Sequence, residues 1–165
     1  MSWTTPKTWS VDELVTASML NTELRDNLNA LKAPPTAQRV LDQAANYTTT
    51  STVFVDVDAV VLSLTITSRG GDLMVHYHGS VLNTSNLLTL FDITLDGVRV
   101  GTEAGIIVVK GSHEALASFT RLLTGVSAGV HTVRLQWRVD VGTGVLLSGA
   151  ETVLIHPQFW VREVS

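Results

Sequence analysis

His131-Thr132-Val133-Arg134-Leu135-Gln136-Trp137-Arg138-Val139-Asp140-Val141 carries the clearest period-two pattern in the chain. Successive residues of a β-strand point to opposite faces, so Val133, Leu135, Trp137, Val139 and Val141 share one face and Thr132, Arg134, Gln136, Arg138 and Asp140 share the other. The stretch predicts a strand buried on one side and wet on the other, the habit of an antiparallel sheet.

The same period recurs on the N-terminal side. Val53, Val55 and Val57 alternate with Phe54, Asp56 and Asp58, and Val60, Leu62, Leu64 and Ile66 alternate with Val61, Ser63, Thr65 and Thr67. Arg69-Gly70-Gly71-Asp72 reads as a turn, residues 73–82 and 87–95 read as strands, and Leu95-Asp96-Gly97-Val98 reads as a tight hairpin of the Asp-Gly kind. A last strand is expected within residues 152–164. Short strands at this spacing predict an antiparallel sandwich or barrel. Three stretches are apolar on both faces: Ala59-Val60-Val61-Leu62, Leu87-Leu88-Thr89-Leu90-Phe91 and Gly105-Ile106-Ile107-Val108-Val109. A two-layer sandwich buries one face of a strand, so the second must meet a covering loop or another copy of the chain, and the reading favours the copy.

Composition narrows the classes. The chain has 165 residues and 17.8 kDa, room for one ordinary domain and a short appendage. Apolar residues make up 45% and charged residues 16%, which excludes intrinsic disorder. A net charge of −4, from 11 Lys and Arg against 15 Asp and Glu, would repel a phosphate backbone, so no nucleic-acid partner is expected. With no cysteine, disulfides, thiolate zinc sites and cysteine nucleophiles are excluded. No apolar run approaches the roughly 18 residues of a bilayer crossing, and the opening Met-Ser-Trp-Thr-Thr-Pro-Lys-Thr-Trp-Ser lacks the apolar core of a secretory signal. The expectation is a protein made in the cytoplasm, with no membrane partner.

A composition break at Ala33-Pro34-Pro35-Thr36 divides the chain into an arm, 1–36, and a β domain, 37–165. Ser10-Val11-Asp12-Glu13 fits a capping box and Thr16 offers a second N-cap. Ala17, Leu20, Leu24, Leu28 and Leu31 then fall three and four apart on one helical face, and the double proline ends the run. An isolated helix of about 15 residues is marginal in water, so the stripe must rest either on its own domain or on copies of itself in a short bundle, with Asn27 near the seam setting register.

The segment Trp9…Val15-Thr16-Ala17-Ser18-Met19-Leu20-Asn21-Thr22-Glu23-Leu24-Arg25-Asp26-Asn27-Leu28-Asn29-Ala30-Leu31 resembles the leader found on many structural proteins of tailed bacteriophages, a Trp followed by V-T-A-x-x-L-N-x-x-L-R-D-N-L-x-x-L. Ser127-Ala128-Gly129-Val130-His131-Thr132-Val133-Arg134-Leu135-Gln136-Trp137 resembles the jelly-roll modules of phage tails, fibres and capsid surfaces, similar in build to the trimeric heads of the tumour-necrosis-factor and complement superfamily. The leader covers about a tenth of the chain; the jelly-roll likeness is diffuse over most of the rest. The resemblance implies an all-β, antiparallel jelly-roll sandwich with a short N-terminal α-helical arm, assembled as a homotrimer and docked through the arm onto other virion proteins, capsid or tail. The chain has no long repetitive shaft, which favours a compact capsid decoration or tail-surface subunit over a far-reaching fibre.

Enzymatic readings are weak. Gly125-Val126-Ser127-Ala128-Gly129 matches G-x-S-x-G, with Asp140 and His156 following in hydrolase order, but that mechanism needs the serine on a sharp turn into a helix and Gly129 leads into a strand. The motif reads as a Gly-rich hairpin turn. His76 and His78, at i and i+2, share a strand face and are weak candidates for a divalent metal; Asp56 and Asp58 share another face, and solvent-facing strand positions account for all four. Trp160 is expected on a polar face beside Arg162, where it can anchor an interface or stack on a sugar. Trp3 and Trp9, in a polar arm, are expected to anchor on a neighbouring protein together with Leu20, Leu24, Leu28 and Leu31. The expected function is non-enzymatic, without cofactor: a structural subunit of a virion. The alternative is a receptor- or glycan-binding tip recognising a host-surface glycan.

Overall fold

The computed structural model describes residues 4–41, 45–148 and 156–164, and the chain divides into two compact units, Met1–Pro35 and Thr36–Ser165. In the first unit Ser10 and Glu13 do pair reciprocally, the Ser10 N–H donating to Glu13 Oε2 at 3.1 Å and the Glu13 N–H to the Ser10 carbonyl at 3.2 Å. They close only a local turn, with Asp12 at φ 60°, and the helix starts at the second cap, where Thr16 Oγ1 accepts from the Met19 N–H. It runs as α1 (Ala17–Leu20), a wider π-helical stretch (Asn21–Asp26) and α2 (Asn27–Lys32), and stops before Pro34, whose ring offers no N–H to continue it.

The second unit is built, among its described residues, from ten antiparallel strands: β1 (Thr36–Val40), β2 (Tyr47–Thr49), β3 (Val55–Asp56), β4 (Ser63–Asn83), β5 (Leu88–Leu95), β6 (Val98–Arg99), β7 (Ile107–Lys110), β8 (Ala115–Val139), β9 (Gly144–Leu146) and β10 (Gln158–Glu163). β4 and β8 are long because each belongs to two layers. Their halves 73–81 and 115–123 pair in one layer, ordered β1, β10, β4, β8. Their other halves pair in the second, where β8 is flanked by β3 and residues 63–67 on one side and by β5 on the other, and β5 carries β7 and β6 on its far edge. Taking the eight main stretches in chain order, the layers read 1-8-3-6 and 2-7-4-5. This is the jelly roll, two Greek keys wrapped face to face.

The corner between layers corrects two expectations. Residues 69–72 are not a turn between strands, and Gly125-Val126-Ser127-Ala128-Gly129 is not a hairpin; both lie inside continuous strands that bend together, with Ser68 opposite Gly129, Gly71 opposite Val126, and a register shift before Leu73. Gly70 at φ 98° and Gly125 at φ 66° supply the backbone angles that an L side chain resists, and the Asp72 carboxylate takes the Gly125 N–H at 3.0 Å. Ala59-Val60-Val61-Leu62 is also not strand. Asp58 Oδ1 accepts the N–H groups of both Val60 and Val61 at 2.8 Å, which winds the segment into a helical turn and leaves Val60 in solvent. The Asp96-Gly97 hairpin forms as expected, with positive φ at both residues.

The core lies between the layers. Val133, Leu135, Trp137 and Val139 are buried as the alternation predicts, while Val141 falls beyond the end of β8 and is exposed. Tyr77 of the first layer stacks on Phe91 of the second at 5.5 Å between centroids, Phe91 meets Trp137 at 6.1 Å, and Phe119 and Phe159 close on Tyr77. Each such buried aromatic contributes about 1.5–3 kcal/mol relative to exposure.

Candidate functional site

In the arm, the helix presents two adjoining faces. Glu23 Oε2 accepts the Lys7 N–H at 2.9 Å, and Asn27, nearly fully buried, accepts from the Thr4 N–H and Oγ1 and donates to the Thr4 carbonyl. The amide expected at an intermolecular seam is thus engaged inside the arm, tying residue 4 to the helix. Leu20, Leu24, Leu28 and Leu31 lie on the other face, between 44% and 63% exposed. Trp9 is 40% exposed, with Lys7 Nζ 5.2 Å from its ring centre, and Leu14 and Val15 are exposed as well. Trp3 lies outside the described residues.

In the β domain, the outward face of the β1–β10–β4–β8 layer is set by register. Its middle row runs Gln38, Trp160, His76, Thr120; the rows on either side run Thr36, Arg162, Met74, Leu122 and Val40, Gln158, His78, Ser118. Trp160 stacks on His76 at 5.2 Å and 29° between planes, His78 stands 6.0 Å further along, and His76 Nδ1 is 2.9 Å from Thr120 Oγ1. Burial, and then the neighbouring His78, hold the His76 imidazole below its ordinary range and so favour the neutral ring. A shallow groove of about 220 Å³ runs along Thr36, Gln38, Trp160 and Arg162. Across these three rows Arg162 is the one formal charge.

The outward face of the other layer is different. Leu90, Asp92 and Thr94 of β5 point away from the core yet are buried, because the chain covers them itself. Arg99, folded back by the Asp96-Gly97 hairpin, donates Nε to Asp92 Oδ2 at 2.8 Å, and the Gly101 N–H donates to Asp92 Oδ1 at 2.8 Å. The Arg99 guanidinium lies 3.9 Å from the centre of Phe54, with Arg138 at 5.4 Å. The doubly apolar strand β5 is therefore closed by its own loop rather than left for another copy. Sequence reasoning missed this clasp. Its signal was an aspartate in the middle of Leu90-Phe91-Asp92-Ile93, where a buried charge requires a partner.

The residues weighed for catalysis are dispersed. Ser127 sits within β8, where His131 Nε2 meets its carbonyl at 2.9 Å and not its hydroxyl; Asp140 pairs with Arg138, and His156 Nδ1 reaches the Leu41 carbonyl. Asp56 is held by Arg134 and Gln136, and Asp58 by Tyr47 and the turn at Val60. Among the described residues no group of three or more His, Cys, Asp or Glu is placed to hold a metal ion, and His76 and His78 have no carboxylate beside them in these rows. No helix of the described residues is long and apolar enough to cross a membrane.

No protein-family model matches the chain, and no curated protein matches it in sequence. Among solved structures, it is similar in fold to an Eiger TNF from S. frugiperda, at 11% identity and a TM-score of 0.49, covering 81% of this chain and 94% of that one. It is also similar to a chain of the infectious bursal disease virus Gx strain, at 12% identity and a TM-score of 0.44, covering 79% of this chain and 36% of the viral one. The chain thus spans about a third of that viral protein. Its jelly-roll assignment rests on its own strand order.

Proposed function

We propose that this protein is a non-enzymatic structural subunit of a phage-like virion, a capsid decoration or tail-surface protein that assembles as a homotrimer and attaches through its N-terminal arm. The observation that carries the reading is the leucine stripe, which the arm's own residues leave uncovered. Leu20, Leu24, Leu28 and Leu31 face outward along a helix too short to stand alone in water, and the neighbouring face is already used for the arm's own hydrogen bonds. A helix arranged this way is suited to lie against another protein. The phage leader that residues 9–31 resemble supplies the expected host of that contact, and Trp9 adds an aromatic anchor.

The test uses the full chain. Light scattering at micromolar concentration should give a mass near three times 17.8 kDa. Leu24→Asp with Leu28→Asp, both at exposed positions, should leave the β domain's circular dichroism and melting unchanged while abolishing attachment to particles lacking the subunit. Attachment that survives both substitutions rejects the arm as the docking element.

A further inference from the structure

We propose that the π-helical stretch Asn21–Asp26 decides which side chains the arm offers for docking: it sets Leu28 in the leucine seam in place of Asn27, and the bonds between Asn27 and Thr4 hold it in that register. The proposal rests on the docking role of the arm and names the residues that set the register of that contact.

Each residue of a regular α-helix turns the chain by about 100°, so a seam of side chains recurs after three or four residues and again after about seven. Counted from Leu20, an unbroken helix would place Leu24, Asn27 and Leu31 in one seam. A π-helical turn closes on the fifth residue rather than the fourth, so it takes up about one residue more and sets everything after it back by about 100°. Leu28 then moves into the place that Asn27 would have held, Leu24 and Leu31 stay in line with it, and Asn27 swings to the flank. Leu20, Leu24 and Leu31 thus belong to either seam, and the wide turn chooses between an amide and a leucine for the remaining place.

Burial agrees with the shifted register. Asn27 is 4% exposed, whereas Leu20 is 44% and Leu28 and Leu31 are each 63% exposed. In an unbroken helix Asn27 would stand within about 40° of both Leu20 and Leu31, on a stripe that could not be buried and open at once. On the flank its amide is satisfied, accepting from the Thr4 N–H at 2.9 Å and donating to the Thr4 carbonyl at 3.1 Å. Turning it back would strand these groups. Glu23, inside the wide turn, accepts the Lys7 N–H at 2.9 Å, so residues 4–7 are bonded to the helix within the π stretch and just beyond it. An amide in an apolar seam costs stability, and moving it aside leaves the docking face apolar along its length.

The test measures attachment of the full chain to particles lacking the subunit, with amide exchange at Thr4 followed by NMR. Asn27→Ala should free the Thr4 N–H to exchange and let the helix close to regular α geometry. Attachment should then weaken about tenfold or more, because a methyl group takes the seam place of Leu28. Asn27→Leu should free Thr4 equally yet attach as wild type does, since a leucine stands in the seam in either register. Deleting Thr22 from the Asn27→Ala variant should restore attachment, the missing residue doing what the wide turn did. Equal losses in Asn27→Ala and Asn27→Leu, no loss in Asn27→Ala, or no recovery on deletion each overturn the register assignment while sparing the docking role. Attachment that survives Leu24→Asp with Leu28→Asp ends the docking reading, and this assignment with it.

Discussion

Both ring nitrogens of His131 face acceptors: Nδ1 is 2.7 Å from Asp96 Oδ2, and Nε2 is 2.9 Å from the Ser127 carbonyl. Only the doubly protonated ring can donate to both, and the two bonds, Asp96 first, raise the His131 pKa above its ordinary 6.5. The same contact, with the Thr132 N–H, holds Asp96 below its usual 3.8. For His131 the stabilisation is complete below the unfolded pKa and lost as pH rises through the raised folded value. For Asp96 it is present above the unfolded pKa and lost as pH falls through the lowered one. The single pair therefore works best between about pH 4 and pH 6.5. Between about pH 6 and pH 8.5, wild type should lose about 1 kcal/mol more stability than His131→Gln, read by denaturant titration. An equal loss in both would show that the His131–Asp96 pair contributes nothing. The sequence did not mark His131, because its partner lies 35 positions away and is delivered only by the β5–β6 hairpin.

At the scale of elements, the glycine corner lets two long strands serve two layers. At Gly125 an added Cβ would meet no atom within 4 Å, so Gly125→Ala isolates the backbone cost of φ 66°. That cost is about 1–2 kcal/mol, measurable as a lowered denaturation midpoint with unchanged m-value. An unaltered midpoint would mean that the corner relaxes without strain. The alternation that predicted strands was sound on both sides of this corner. Reading the glycines as chain reversals failed because a bend shared by paired strands uses the same residue types as a turn. At Asp58 a similar local competition was missed: a carboxylate capping two amides overrides the alternation of Val60 and Leu62, a capping geometry that residue types alone do not signal.

For the molecule as a whole, burial and assembly separate cleanly. Among the described residues one continuous cluster of buried side chains fills the space between the layers of a single chain, so a homotrimer would add stability by mass action. Melting temperature should rise with protein concentration across the micromolar range. A melting temperature flat across that range would show that assembly contributes no stability. Residues 131–141 already determined a one-sided strand, its core face and an all-β fold around it, because alternation between solvent and interior is written into neighbouring residues. Which outward face stays open was decided only by tertiary structure. Covering β5 required Arg99 and Phe54 to converge from either side of that strand, and gathering Trp160 beside His76 required strands more than 70 residues apart to pair in one register, distances over which no local pattern carries information.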